Sequence, residues 1–133
     1  MYYNLAQRFS TNKRVQFIIN EGALTYVDIL NTKVRFIHGF QISFGGGIGG
    51  VTVPLLKAIA GWDRGIKADI TVLGHFHQYQ SGSNYCMNGS MIGYSAYAQH
   101  IKASPEPPQQ AFFLIDRDYG KTVSCPIILT GDR

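Results

Sequence analysis

The sequence predicts an α+β domain with mostly antiparallel strands and few helices. Three observations carry this expectation. Short runs of β-branched and aromatic residues, bounded by Gly, Asn and Asp, recur along the chain. Only two segments place apolar residues at helical spacing. The chain has 133 residues, 45% of them apolar and 15% charged, enough for one globular domain with a core, spanning 1–133, but hardly for two.

Residues 2–9, YYNLAQRF, read as a helix, because Tyr2, Leu5, Ala6 and Phe9 fall at i, i+3, i+4 and i+7. Only Met1 precedes it, with no capping residue, which suggests that sequence upstream of it is missing. RVQFIIN (14–20), ALTYVDIL (23–30) and KVRFIHG (33–39) read as three strands of an antiparallel meander, turning at Glu21-Gly22 and Asn31-Thr32. After the glycine-rich FGGGIGG (44–50), residues 52–65 read as a helix. Thr52 is its expected N-cap, Pro54 lies in its first turn, and Val53, Leu56, Ile59 and Ala60 form its expected buried face. ADITVLG (68–74) is almost continuously apolar, as a strand buried on both faces should be. A short strand at 84–87 leads into the loop NGSMIGYSAYAQ, and the proline-rich SPEPPQQ (104–110) is extended. AFFLIDRD (111–118) and TVSCPIILT (122–130) close the chain as a hairpin around Tyr119-Gly120.

Composition narrows the function. The longest apolar runs are far short of a membrane span, and MYYNLAQRF shows no signal peptide. Cys86 and Cys125 match neither a zinc nor a disulfide spacing and read as buried, reduced thiols. Together these point to a cytoplasmic protein with no membrane partner. The net charge of +4 favours polyanionic partners such as nucleic acid, though only mildly.

The candidate chemistry lies in DITVLGHFHQY (69–79), where His75 and His77 sit two apart as an apolar run stops. If the strand stays regular, both rings lie on one face. If it ends at Gly74, the rings aim at different points. His38 ends VRFI as His75 ends ITVL, so the two converge if their strands are neighbours, and ligand sites form beyond such strand ends. Imidazole is the commonest metal-ligating side chain. His100 lies in a polar segment and reads as structural or incidental. The G-x-G-x-x-G at Gly45, Gly47 and Gly50 is not a dinucleotide fingerprint. The strand before it ends too early, and no acidic residue closes the next strand. A role for Tyr79, Tyr94 and Tyr97 in stacking bases is a separate reading from another class, a nucleic-acid-binding module.

The ordered pair His-Gly at 38–39 and Gly-His-Phe-His at 74–77 resembles the last two motifs of the calcineurin-like metallophosphoesterases. The stretches FGGGIGGVTVP, MNGSMIGYSAYA and EPPQQAFFLID further resemble phage-type, repair-exonuclease-like members. The resemblance covers nearly the whole chain. It implies part of a two-sheet β-sandwich flanked by helices, the αββα architecture. It also implies a metal-dependent phosphoesterase, here a phosphodiesterase or nuclease acting on DNA or another phosphate ester. The family's DxH, GDxxD and GNH blocks are absent, and none of the eight acidic residues lies in such a block. The chain therefore looks like the C-terminal half of a catalytic domain whose N-terminal half would be encoded upstream. Phe40 stands where close relatives would carry Asp after His-Gly.

The resemblance also implies two divalent ions (Mn, Zn or Fe) about 3.5–4 Å apart in the complete domain. His38 and His75 would bind one and His77 the other, with no catalytic residue assigned in this chain. Three imidazoles on one zinc with an open position are the alternative geometry. Without the bridging carboxylate, the chain alone should bind metal weakly and be inactive. Unpaired strand edges and an uncovered apolar face should promote self-association. The alternative function is a non-catalytic remnant or interaction module of the same ancestry.

Overall fold

The computed structural model of the chain describes residues 1–43 and 48–129. The first helix, α1 (Tyr2–Arg8), buries none of its residues. β1 (Thr25–Ile29) and β2 (Thr32–Phe36) form an antiparallel hairpin, Thr25 opposite Phe36. Leu30 takes a left-handed φ of 54° in its turn. The long helix α2 (Thr52–Trp62) leads to β3 (Ile70–Leu73), which pairs with β2 in parallel. β4 (Gln80–Ser81) and β5 (Tyr85–Met87) follow, β5 parallel to β3 and β4 antiparallel to β5. The sheet order is β1-β2-β3-β5-β4. A short helix, α3 (Ala96–His100), precedes the second sheet, the antiparallel hairpin of β6 (Gln109–Asp116) and β7 (Gly120–Ile128). The architecture is α+β, a mixed sheet and an antiparallel sheet with helices at their flanks, and three of the five strand pairings described are antiparallel.

The core lies between α2 and the mixed sheet. Leu55 and Ile59 of the helix meet Leu73, Tyr85 and Met87 of β3 and β5, with Ile37, Ile42 and Val51 around them. Ile70, Thr71 and Leu73 are almost wholly buried, as a central strand between two covered faces requires. At the C-terminal end of α2 this layer encloses a buried cation. Arg35 on β2 has no exposed surface. Its guanidinium donates to the carboxylate of Asp63 at the end of α2 and to the Ile66 carbonyl. It also donates to Thr71 Oγ1 on β3 at 3.2 Å and to the Tyr26 hydroxyl on β1 at 3.2 Å. The rings of Tyr26 and Trp62 lie 5.4 and 5.6 Å from Arg35 Cζ.

The second sheet is tied to the first by polar contacts. Lys121 Nζ donates to Ser81 Oγ at 2.7 Å and to the Tyr85 carbonyl at 3.1 Å, and Ser124 Oγ donates to Ser81 Oγ at 2.8 Å. Burial pushes the Lys121 ammonium below its ordinary range, and the Cys86 thiol beside it is pushed up. Asn88, at the end of β5, accepts the Ala111 N–H at 2.6 Å.

Several expectations are corrected. Residues 14–20 form no strand: Arg14 lies in a turn and 15–20 pair with no described strand. Phe17 packs on Phe9, ring centroids 6.1 Å apart, and β propensity without a partner strand makes no ladder. The expected three-strand meander is a single hairpin followed by parallel strands. The cap of α2 is Val51, not Thr52. Its buried stripe is Val51, Leu55 and Ile59, at i, i+4 and i+8, whereas Val53 and Leu56 are exposed. Ile59 is buried as expected, but Val53, Leu56 and Ala60 are not: Val53 and Leu56 are as apolar as Val51 and Leu55, and only the position of the sheet separates them. β4 and α3 were not anticipated; α3 begins where Ser95 Oγ accepts the Ala98 N–H at 3.3 Å, a side-chain cap inside an apparent loop. Cys86 is buried as expected, whereas Cys125 is only half-buried.

Arg35 sets the first prediction. Asp63→Ala strands a buried guanidinium and should cost about 3–5 kcal/mol in urea unfolding. The double change Arg35→Met with Asp63→Leu removes both charges and should recover most of that loss. A double variant no more stable than Asp63→Ala would contradict this account.

Candidate metal centre

The parallel pairing of β2 and β3 brings their C-terminal ends side by side. The ladder continues past the strands. The Ile37 N–H donates to the Val72 carbonyl at 3.0 Å, and the Gly74 N–H to the His38 carbonyl at 3.1 Å. His38 and His75 therefore leave the sheet edge as neighbours. Their rings stand edge to face, centroids 4.9 Å apart, with His75 Nδ1 3.1 Å from His38 Nε2.

β3 ends before Gly74, and the backbone reverses. His75 and His77 take left-handed φ values of 73° and 58°, which few non-glycine residues adopt. The reversal separates the two rings. His75 turns toward His38 and meets Phe76 edge-on at 5.1 Å. His77 packs instead on Tyr97 at 5.7 Å, with a buried Nδ1 that has no hydrogen-bond partner. Gly39, with φ 119°, passes close beneath. A Cβ there would lie 2.9 Å from the His75 Cβ and 3.1 Å from the Gly74 carbonyl oxygen. Phe40 is exposed and leans on the His38 ring at 6.1 Å.

Desolvation holds the His75 imidazole below its ordinary range, and the nearby His38 and His77 rings push it further in the same direction. A neutral imidazole is the metal-binding form. Two ligand nitrogens on a tetrahedral ion with bonds of about 2.0–2.1 Å lie about 3.3 Å apart, close to the observed 3.1 Å. The same separation suits an N–H···N hydrogen bond when no ion is bound. The donor set thus fits one ion shared by two imidazoles with further positions open. Among the described residues no cluster of three His, Cys, Asp or Glu able to hold a metal occurs, so further ligands would have to complete any ion bound here.

The other singled-out residues fall elsewhere. His100 is exposed at the end of α3. Tyr79 is tethered, its hydroxyl 3.1 Å from Ser124 Oγ and its N–H donating to Glu106 at 3.0 Å. Tyr94 and Tyr97 are exposed. Gly45 and Gly47 lie outside the described residues; Gly50 lines a cleft with Thr52, Gln80 and Glu106. A cavity of about 270 Å³ opens beside His75, with Phe76, Gln78, Tyr97 and Lys102 among its lining residues. Sequence reasoning missed Gln78 and Lys102, which match no motif. No helix among the described residues is long and apolar enough to cross a membrane.

Two predictions follow from this geometry. The His75 titration midpoint, read by NMR, should lie below about 6.5, and His38→Ala should raise it. Because the folded-state value is depressed, the unfolded chain binds the proton first. The stability linked to His75 is therefore present above about pH 6.5 and lost as pH falls toward the folded midpoint. Gly39→Ala should cost about 1–3 kcal/mol in backbone strain and displace His75, seen as shifted His75 ring resonances.

No protein-family model and no curated protein matches the chain. Among solved structures, the chain is similar to Vps29 from Entamoeba histolytica in complex with zinc. The TM-score is 0.52 and the identity 19%, over 84% of this chain and 63% of that one. A single-substitution variant of the same protein matches with a TM-score of 0.52 and 20% identity, over 86% and 66%. The chain thus spans about two thirds of the length of these neighbours. At this identity the likeness is one of fold: the chain has the calcineurin-like metallophosphoesterase fold.

Proposed function

We propose that the chain carries the histidine portion of a phosphoesterase metal centre, in a metal-dependent enzyme acting on DNA or another phosphate ester. The convergence of His38 and His75 at neighbouring strand ends is the observation that carries the reading. In this reading His38 and His75 hold one divalent ion, zinc, manganese or iron, and the orphaned nitrogen of His77 contributes to a second. A bound ion would supply Lewis-acid polarisation of a phosphoryl oxygen. The chain's own part is to present neutral imidazoles in a fixed orientation. Gly39 allows the close approach, Phe76 braces His75 edge-on, and Tyr97 braces His77. Hydrolysis needs carboxylates that bridge and neutralise the ions, and in this reading they come from a complementing N-terminal segment.

A second reading, a non-catalytic interaction module, has its own support. The outer face of the β6–β7 hairpin exposes Phe112, Leu114, Val123 and Ile127, an apolar stripe suited to a protein partner or a second copy.

Titration calorimetry with zinc tests the first reading. The chain should bind zinc, and His38→Ala or His75→Ala should weaken binding at least about tenfold. Bis-p-nitrophenyl phosphate with manganese should not be turned over by the chain alone. Turnover abolished by His77→Ala would overturn the requirement for a complementing segment. Sedimentation should show self-association that Leu114→Lys relieves.

A further inference from the structure

We propose that the cavity beside His75 is a nucleotide subsite, taking the base and sugar of a phosphoester whose phosphate reaches the histidine cluster. It rests on the metal-centre reading for the position of that phosphate, but the base pocket stands on its own observations.

The first observation is shape. The cavity of about 270 Å³ falls just below the range of about 300–1,000 Å³ for drug-sized ligands, so it takes one ring system rather than a long strand. The second is the character of its walls. Phe76, Tyr97 and Ile101 supply aromatic and apolar surface, and Tyr97 is 60% exposed although its ring packs on His77. An aromatic ring held in place yet open to solvent is a stacking platform, tolerant of base identity because every base has a π-face.

The third observation is polarity at the rim. Gln78 Nε2 donates to Ser104 Oγ at 2.8 Å, which orients the amide and leaves its oxygen free to accept from an exocyclic amine. Lys102 lines the same cavity and has no ion-pair partner among the described residues, so its ammonium can meet a phosphate. The fourth is strain. Four non-glycine residues in the described chain have left-handed φ values, and one, Leu30, belongs to a hairpin turn. Of the other three, His75 and Lys102 line the cavity and His77 packs on its Tyr97 wall. Backbone strain of this kind persists where surrounding structure holds a ligand site in shape.

The experiment titrates the isotope-labelled chain by NMR with adenosine 5′-monophosphate and, as a control lacking the base, ribose 5-phosphate. EDTA is present in one series and zinc in another. In EDTA, adenosine 5′-monophosphate should shift the amides of Gln78, Tyr97 and Lys102 and bind about tenfold tighter than ribose 5-phosphate. Tyr97→Ala should erase that difference and Tyr97→Phe should keep it. Lys102→Ala should weaken both ligands by the same factor. Equal affinity for the two ligands in the unaltered chain would overturn the subsite, as would an unchanged preference in Tyr97→Ala. Perturbations confined to other residues would do the same. Failure to bind zinc, with the base preference intact in EDTA, would overturn the metal-centre reading and leave the base pocket standing.

Discussion

A single buried cation organises this fold. Arg35 is a fully enclosed guanidinium, and a charge removed from water is tolerated only where its donors are met. Its partners are distributed across the structure: Tyr26 on β1, Thr71 on β3, and Asp63 and the Ile66 carbonyl where α2 returns to the sheet. Any arrangement that moves one of these elements leaves a buried charge short of partners. The guanidinium thereby selects the order β1-β2-β3 and docks the far end of α2 against it. The apolar contacts of Leu55, Ile59 and Leu73 would tolerate a range of packings of similar area; the fixed fork of Arg35 tolerates few.

The candidate site depends on that selection. With β2 and β3 parallel and in the register Phe36 to Val72, His38 lies opposite Gly74 just beyond the last pair, and His75 follows it directly. A slip of one residue would send one ring to the opposite face. The turn at Gly74 then does the opposite for His77, diverting it from His75 toward α3. One chain segment thus supplies two imidazoles with different surroundings. His75 is open and faces His38, and His77 is partly enclosed with an unsatisfied nitrogen. The cavity lies beside His75 because α3 follows β5 and returns past the strand ends, as ligand crevices in layered sheets do.

The second sheet has a different relation to the core. It is held through Lys121, Ser124 and Asn88 to β4 and β5, mostly by side chains donating to or accepting from single groups. Its outer face is apolar and exposed. The inner polar attachments orient the hairpin, while the outer face contributes nothing to this chain's own core.

Much of the local structure was determined by the sequence itself. The helical spacing of 2–9, a turn at Asn31 (its partner is Leu30 rather than the expected Thr32), the doubly buried ITVL and the closing hairpin all follow from side-chain period and turn chemistry. These act over a few residues and need no partner to be recognised. The strand-end histidines were legible too, because each sits where an apolar run stops beside glycine. Only the tertiary structure decided how those ends meet. Whether β2 and β3 run parallel, which stripe of α2 is buried, and whether 14–20 finds a partner strand are contests between equally apolar alternatives. Contacts made across tens of residues resolve them. The inclusion of Gln78 and Lys102 beside His75 belongs to the same class. Neither carries a motif, and their proximity arises only when the α3 segment folds back over the ends of the strands.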